Sequence, residues 1–482
     1  MSTVQRIAKN TLVLYVAHIV TALLSAVLVV FIARILGAAN YGVFSFAIVF
    51  TSLFGILTNL GMNELIIREV ARDKDKASKY SGNTVVMRLI LSVIVIALII
   101  TTINLMNYPR ETVLVVSIFG FYTILTSLAA IFRVTFRAFE RMEYEALVSV
   151  IAKLISFSLG MAVLFAGYGV VQLAFVFLFA GVAELLISFL ICVAKFARPR
   201  LEADWGFWKQ SLRISFPFIL SNAFTLIYIR IDTVMLSKMK GDAVVGWYNA
   251  AYNLVLALEP VVFLFMTAVF PVMAQLFISS KESLKMSYEK SFKYLLILGL
   301  PMSVGLVALA DRIILFLYAE GFTPSITALQ IVGWYLLLVC MSRPILYLLV
   351  SINRQGWMAF IAGMGAFANI GLNLLLIPPL SYVGAAIATI ATQSLVIVIS
   401  WLVAARYLFK LPVHRIILKP LIASVLMGGI VYQLNQVAEV NLFLLITLGA
   451  VLYFVLIWLM KTFSAEDKEL LRQVIKIRRR SP

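Results

Sequence analysis

The sequence has few charged residues, few cysteines and few of the side chains that enzymes use for chemistry. Only 13% of its 482 residues are charged, whereas 63% are hydrophobic and the mean hydropathy is +1.03. A soluble globular chain is about one quarter charged, so this composition excludes a soluble fold. The two cysteines, Cys192 and Cys340, lie in apolar runs and indicate neither a disulfide framework nor a metal site.

The sequence also lacks the motifs of the main enzyme classes. It has two histidines, no acidic doublet in the predicted loops, and no phosphate-binding glycine loop. We therefore expect no enzyme, no catalytic residue, no metal site and no cofactor. The net charge of +18 is dispersed over many loops, which favours contact with anionic lipid headgroups over binding of nucleic acid.

Long, continuous apolar runs are what the sequence has in abundance. Runs of about 20 residues are long enough to cross a bilayer, and continuous rather than alternating runs select helices over a barrel. The sequence predicts an all-α polytopic membrane protein with about 14 transmembrane helices. The predicted limits are 11–36, 41–63, 84–106, 112–136, 146–167, 170–194, 214–239, 245–277, 293–318, 325–351, 357–378, 382–408, 415–435 and 441–461.

Lysine and arginine collect in alternate loops of this topology. The loop after the second span is rich in them, whereas the loops after spans five, eleven and thirteen have none. Such residues mark the cytoplasmic side. The pattern predicts a multi-pass protein of the cell membrane with both termini in the cytoplasm.

Two pairs of segments resemble each other in the same order along the chain. RILGAANYG (34–42) and the segment around Gly246 align with an offset of 246 − 42 = 204, and Tyr144 and Trp357 align with an offset of 357 − 144 = 213. The pairs predict two parallel six-helix lobes with a pathway at their interface. The predicted divisions are 1–200 (spans 1–6), 201–410 (spans 7–12), 411–463 (a C-terminal helix pair) and 464–482 (a cytoplasmic, amphipathic basic tail).

RILGAANYG also resembles the first-turn motif of the Wzx-like polysaccharide and oligosaccharide flippases. These belong to the multidrug/oligosaccharidyl-lipid/polysaccharide exporter superfamily. The resemblance continues through five further segments and covers nearly the whole chain, except the last two spans. The segments are GMNELIIREVARD (61–73), IRIDTVMLSKMKGDAVVGWYNAAYNL (229–254), LPMSVGLVALADRIILFLYAEGF (300–322), INRQGWMAF (352–360) and NIGLNLLLIPPLSYVGAAIAT (369–389).

Several arginines lie inside predicted spans, where an ionisable group is a functional candidate by default. The resemblance implies an isoprenoid-pyrophosphate-linked sugar as substrate, and guanidinium groups match phosphate oxygens. Arg34, Arg230 and Arg343 are therefore the predicted anion contacts of a cavity, although Arg34 could instead cap its helix or form an ion pair at the turn. Arg88 and Lys153 lie near span ends, where snorkelling to the interface explains them more simply.

Three intramembrane carboxylates, Asp232, Glu259 and Glu184, are the predicted ion-coupling residues. Glu259 precedes a proline that should kink its helix, and it could serve either as a proton or cation site or as the ion-pair partner of Arg230 or Arg343.

We expect a flippase that moves a lipid-linked oligosaccharide by alternating access, for surface polysaccharide or glycan biosynthesis. Na⁺ or H⁺ is the candidate coupling ion. The expected partners are membrane lipids and the polysaccharide polymerase or glycosyltransferase machinery, with no nucleic acid and with a monomer as the default state. A cation-coupled multidrug extruder of the same superfamily is the alternative, and a lipid scramblase without directed transport is a third hypothesis.

Overall fold

A computed structural model describes residues 3–354, 356–407, 411, 413–437 and 440–463, with the side chains of 3–11, 64, 214–215, 217–218 and 415 left aside. All regular structure in these ranges is helical, which confirms the predicted class. The predicted basic tail at 464–482 lies outside the described residues. The helices are α1 (Thr3–Asn59), α2 (Met62–Arg72), α3 (Ala77–Leu105), α4 (Arg110–Ala138), α5 (Met142–Phe165), α6 (Val170–Lys195), α7 (Trp205–Lys240), α8 (Asp242–Leu256), α9 (Glu259–Ser279), α10 (Lys281–Ala308), α11 (Ala310–Tyr318), α12 (Pro324–Ser351), α13 (Gly356–Tyr407), α14 (Val413–Val437) and α15 (Leu442–Leu459).

Twelve helical stretches in the described ranges are long and apolar enough to cross a membrane. Two of them contain two predicted spans each, because helical geometry breaks inside them. α1 breaks at Gly37 (φ 77°, ψ 173°) and α13 breaks at Ser381 (φ 55°, ψ −134°). Counted on both sides of these breaks, the stretches accommodate the fourteen spans expected from the sequence.

The predicted eighth span, 245–277, is divided between two helices. α8 ends at Leu256, and α9 begins at Glu259 with a proline in its first turn. Proline suits a first turn because its missing N–H has no partner there in any helix. The proline therefore begins a new helix instead of kinking a continuous one.

The protein divides into two compact units. The first comprises the described residues up to Ala250, together with Leu317–Phe322 and Met358–Ala388, and the second comprises Ala251–Phe316, Thr323–Trp357 and the described residues from Thr389 onward. These units group residues by packing, and the repeat boundaries at 200 and 410 stay a prediction.

Each unit has a helix that packs against several of its neighbours. In the first unit, α4 packs against α1, α3 and α6, and its Ile124 and Leu128 meet Ile66 and Val70 of α2. In the second, α10 packs against α9, α12 and α14. Because lipid tails are as apolar as these side chains, such packing gains from close fit rather than from exclusion of water.

Backbone conformation repeats at the first predicted offset. Gly37 has φ 77° and ψ 173°, and Gly241, 204 positions further on, has φ 87° and ψ 174°. This is the offset predicted from Gly42 and Gly246. A positive φ of this kind is open to glycine at little cost, so the two turns use the same residue for the same reason.

The two turns also contact each other reciprocally. A Cβ atom on Gly42 would overlap the carbonyl oxygen of Asp242, and a Cβ atom on Gly246 would overlap the carbonyl oxygen of Ala38. Asp242 and Ala38 are themselves 204 positions apart. Gly42 and Gly246 are therefore required for close packing of backbone against backbone, and not for the turn itself.

The second predicted offset recurs in the same way. Glu140 has φ 58° and Asn353, 213 positions further on, has φ 59°. These left-handed residues precede Tyr144 and Trp357, the pair from which the offset was predicted. At each of the two offsets, the paired positions have the same backbone conformation. These matches are those expected of a duplicated six-helix architecture.

The segment that leads from α6 to α7 lies against the start of α3. The backbone N–H of Asp204 donates to Asn83 Oδ1 at 2.9 Å, and the Asp204 carboxylate lies 3.1 Å from Lys79 Nζ. A Cβ atom on Gly82 would overlap the backbone of Arg200. The segment is thus fixed to the first unit by a close backbone contact and an exposed ion pair.

Candidate functional site

Asp232 is a fully buried carboxylate in α7. The N–H of Thr233 donates to its Oδ1 at 2.7 Å, and the hydroxyl of Tyr248 donates to its Oδ2. Two residues earlier, Arg230 is half-buried and contacts neighbouring groups, whereas Arg34 is exposed and forms no ion pair with any residue that the structure describes. The anion-binding roles of these two arginines stay predictions.

Glu259 and Arg343 form an ion pair in the second unit. Arg343 Nη2 lies 3.5 Å from Glu259 Oε1, and their side chains are 33% and 24% exposed. The carboxylate sits in the first turn of α9, where the helix dipole favours a negative charge. Of the two roles left open by the sequence, the ion pair is the one observed, and it leaves both groups partly accessible.

Glu184, the third predicted carboxylate, belongs to a charged cavity inside the first unit. Its Oε1 lies 3.0 Å from Arg133 Nη1. The cavity has a volume of about 230 Å³, and polar side chains provide much of its lining. We call it the charged cavity, and its lining residues are Thr21, Tyr122, Arg133, Ser149, Ala152, Lys153, Ser156, Ala180 and Glu184.

Sequence reasoning missed Arg133 and discounted Lys153. Arg133 lies five residues before the end of α4 at Ala138, close enough to a loop to escape notice. A helical side chain leans toward the N-terminus of its own helix, and here that direction leads away from the loop and into the cavity. Arg133 could have been identified from Glu184, which lies two spans further along the chain, because a carboxylate inside the membrane requires a cation as its partner.

Arg88 also differs from its predicted role. Its side chain is 1% exposed, so it does not snorkel. Its Nη2 donates to Asn59 Oδ1 at 2.7 Å and to Asn63 Oδ1 at 2.6 Å, and its Nη1 donates to the carbonyl oxygen of Ser127. Because Asn59 ends α1 and Asn63 lies in α2, Arg88 fixes the junction of these two helices.

An apolar cavity lies in the second unit. Its volume is about 390 Å³, and α10, α14 and α15 provide most of its walls. We call it the apolar cavity, and its lining residues are Leu258, Leu298, Pro301, Met302, Gly305, Leu306, Leu309, Ile313, Met427, Val431, Leu445, Ile446, Gly449, Ala450, Tyr453 and Phe454. A chain of hydrocarbon character suits such walls, and a charged group does not.

Metal ligands do not cluster in the part of the chain that the structure describes. No group of three or more His, Cys, Asp or Glu side chains is placed to hold a metal ion there. The charged groups that the structure brings together are instead mixed pairs of cation and carboxylate.

Comparisons with known proteins identify relatives along most of the chain. An uncharacterized membrane protein of Methanocaldococcus jannaschii is 26% identical over 324 residues, which are 66% of this chain and 63% of that protein. The chain thus spans less than two thirds of that relative's length. A protein of Shigella dysenteriae named "Putative O-antigen transporter" is 25% identical over 334 residues, which are 67% of this chain and 80% of that protein.

Solved structures share the fold at low sequence identity. The lipid II flippase MurJ, in an inward closed conformation, has a TM-score of 0.75 at 16% identity and covers 92% of this chain and 97% of its own. An inward-facing multidrug resistance transporter of the MATE family has a TM-score of 0.68 at 16% identity and covers 80% of this chain and 95% of its own. Both show the same helical architecture.

The profile of one protein family matches residues 7–277, and that family is described as "Polysaccharide biosynthesis protein". The match extends over more than half of the 482 residues. The chain therefore belongs to the family of polysaccharide biosynthesis proteins, in agreement with the resemblance drawn from its sequence.

Proposed function

We propose that the protein moves an isoprenoid-pyrophosphate-linked oligosaccharide across the cell membrane, for the synthesis of a surface polysaccharide or glycan. The apolar cavity carries this proposal. An isoprenoid tail needs an apolar surface along its whole length, and this cavity offers one of about 390 Å³ walled largely by α10, α14 and α15. A transporter of soluble cationic drugs has no such requirement.

The diphosphate group of the substrate would meet arginine. Arg343 is partly exposed beside Glu259, so a diphosphate oxygen can compete with the carboxylate for the guanidinium group. Arg34 and Arg230 remain the other predicted contacts. We expect alanine substitution of each arginine to lower export of the glycan without lowering the amount of protein in the membrane.

Transport would follow alternating access, coupled to Na⁺ or H⁺. Asp232 is the first candidate for the coupling ion, because it is a fully buried carboxylate with oxygen-bearing neighbours. Glu259 and Glu184 are the others, and each already pairs with an arginine. Under this proposal the protein catalyses no covalent step and acts as a monomer with both termini in the cytoplasm.

A multidrug extruder is the competing function, and the similarity to a multidrug transporter supports it. The charges favour the flippase, because an acceptor of cationic drugs needs a surplus of carboxylates. The charged cavity has two cations for one carboxylate, and the paired Glu259 has its charge compensated by Arg343.

Deletion of the gene tests the proposal. We expect lipid-linked oligosaccharide to accumulate on the cytoplasmic face of the membrane and the surface glycan to be lost, with both restored by the wild-type chain. Unchanged surface glycan together with new sensitivity to cationic dyes would instead identify an extruder. A lipid scramblase would fail both tests and would move lipids in vesicles without regard to an ion gradient.

A further inference from the structure

The charged cavity of the first unit lies deep along its helices. Lys153 and Glu184 are near the middle of α5, which has 24 residues, and of α6, which has 26. Charges at such depth are costly unless they are compensated by a partner. The cavity therefore has to balance its charges from within or by binding an ion.

The side chains of the cavity do not balance one another. Arg133 and Glu184 form one ion pair, which leaves the ammonium group of Lys153 as a second cation. Lys153 forms no ion pair or hydrogen bond through its ammonium group with the residues that the structure describes, although its side chain is half-buried. With all three groups ionised, the cavity carries one uncompensated positive charge.

Hydrogen-bond donors are also in surplus. Within the described part of the chain, Arg133 Nε is buried without an acceptor, and the hydroxyl-bearing residues Tyr122 and Ser149 also line the cavity. The acceptor capacity of Glu184 is already shared with Arg133. A ligand that satisfies these donors must therefore bring several acceptor atoms and a negative charge.

We propose that the charged cavity binds a small phosphoryl oxyanion between Lys153 and Arg133. Phosphoryl oxygens accept several hydrogen bonds at once and match the planar donors of a guanidinium group. A cavity of about 230 Å³ has room for such a group with a few waters and excludes a sugar chain. Glu184 acts as the internal acceptor that the oxyanion displaces from Arg133.

The phosphoryl group can arrive free in solution or at the end of a lipid chain, and two probes separate these sources. Isothermal titration of the purified full chain with inorganic phosphate, and in parallel with farnesyl phosphate, measures Kd at constant ionic strength. Binding of phosphate identifies a soluble ligand, and binding of farnesyl phosphate alone identifies a lipid-borne one. Neither outcome depends on which glycan the protein exports, so failure of the proposed flippase function leaves this test intact.

Two substitutions with opposite effects make the test specific. Lys153→Gln removes the uncompensated charge and should weaken binding by about tenfold or more. Glu184→Gln removes the internal competitor and should tighten binding. Lys153→Arg keeps the charge and should bind like the wild type, and Lys281→Gln, an exposed lysine of α10, is a matched control that should change nothing.

A purely structural cluster would give a different pattern. If neither probe binds the wild type, or if Lys153→Gln and Glu184→Gln shift Kd in the same direction, the proposal is wrong. Should Lys153→Gln fail to fold, Glu184→Gln and Lys153→Arg still decide, because they predict tighter and unchanged binding respectively.

Discussion

The two predicted repeats of the chain share backbone geometry at their turns and differ in chemistry. Their turns place left-handed residues at matching positions. The cavity of the first unit is nevertheless lined by charged side chains, whereas the cavity of the second unit is lined by apolar ones. At the positions 213 residues further on, where the second repeat has its equivalents of Arg133, Lys153 and Glu184, the chain carries only apolar residues, namely Leu346, Ala366 and Ile397. The matching turns are therefore not accompanied by matching side chains at these three positions.

The largest expected effect comes from placing a charge in the apolar cavity. Met427 is 4% exposed and lines that cavity, so Met427→Lys buries an ammonium group without a partner and should cost about 3 kcal/mol. We expect a large fall in the unfolding midpoint of the purified protein, with Met427→Leu close to wild type. An unchanged midpoint in Met427→Lys would show that the cavity admits water.

The next effect tests the shared geometry. Gly42→Ala and Gly246→Ala each force a Cβ atom into the backbone of the opposite turn, and each should destabilise the protein by about 2 kcal/mol. Because the contact is reciprocal, the two losses should be similar. Gly371→Ala, in α13 with open space around it, is the control and should not destabilise. Clearly unequal losses at Gly42 and Gly246 would contradict the equivalence of the turns.

A third set of substitutions replaces the charged residues of the first unit's cavity by the residue types found 213 positions further on. Arg133→Leu alone leaves Glu184 without its ion-pair partner and should cost about 1.5 kcal/mol, because the pair is partly exposed, whereas removing a whole buried charged cluster is often neutral. The triple variant Arg133→Leu/Lys153→Ala/Glu184→Ile should therefore be more stable than the single variant. Chemical denaturation measures both, and a triple variant less stable than Arg133→Leu would mean that the charges stabilise the fold.

The smallest effect concerns the segment that is fixed to the first unit. The N–H of Phe207 and the ammonium group of Lys79 hold the pKa of the Asp204 carboxyl below its ordinary value. A carboxyl whose pKa is lowered on folding stabilises the protein above its unfolded pKa, and this contribution is lost as the pH falls through the folded value. The wild type should therefore show a small decrease in its unfolding midpoint below about pH 4. Asp204→Asn should lack this decrease when both proteins are measured in a pH series.

Much of the fold was predictable because each span carries its own signal in composition. The matching turns were predictable from Gly42, Gly246, Tyr144 and Trp357, since turns depend on local sequence. The positions of the helix breaks were less predictable. The break in α13 falls at Ser381, which is not a glycine. The proline after Glu259 begins a new helix where a kink was expected.

The candidate site was only partly predictable, because partners across helices are not visible in one sequence. Glu184 and Glu259 were identified as intramembrane carboxylates, but the partner of Glu184 was missed and that of Glu259 was left open. The snorkelling expected for Arg88 was wrong because Asn59 and Asn63, which receive its hydrogen bonds, lie on other helices. Depth along a helix predicts the cost of a charge, whereas only packing reveals what compensates it.

The contact between Gly42 and Gly246 has a consequence for how this chain can evolve. It is the contact that two identical subunits make across a two-fold axis, where one patch meets its own copy. Here both copies belong to one polypeptide and can mutate separately. A larger residue in one turn therefore requires the backbone of the other turn to move away. Two segments 204 positions apart are thereby expected to vary together.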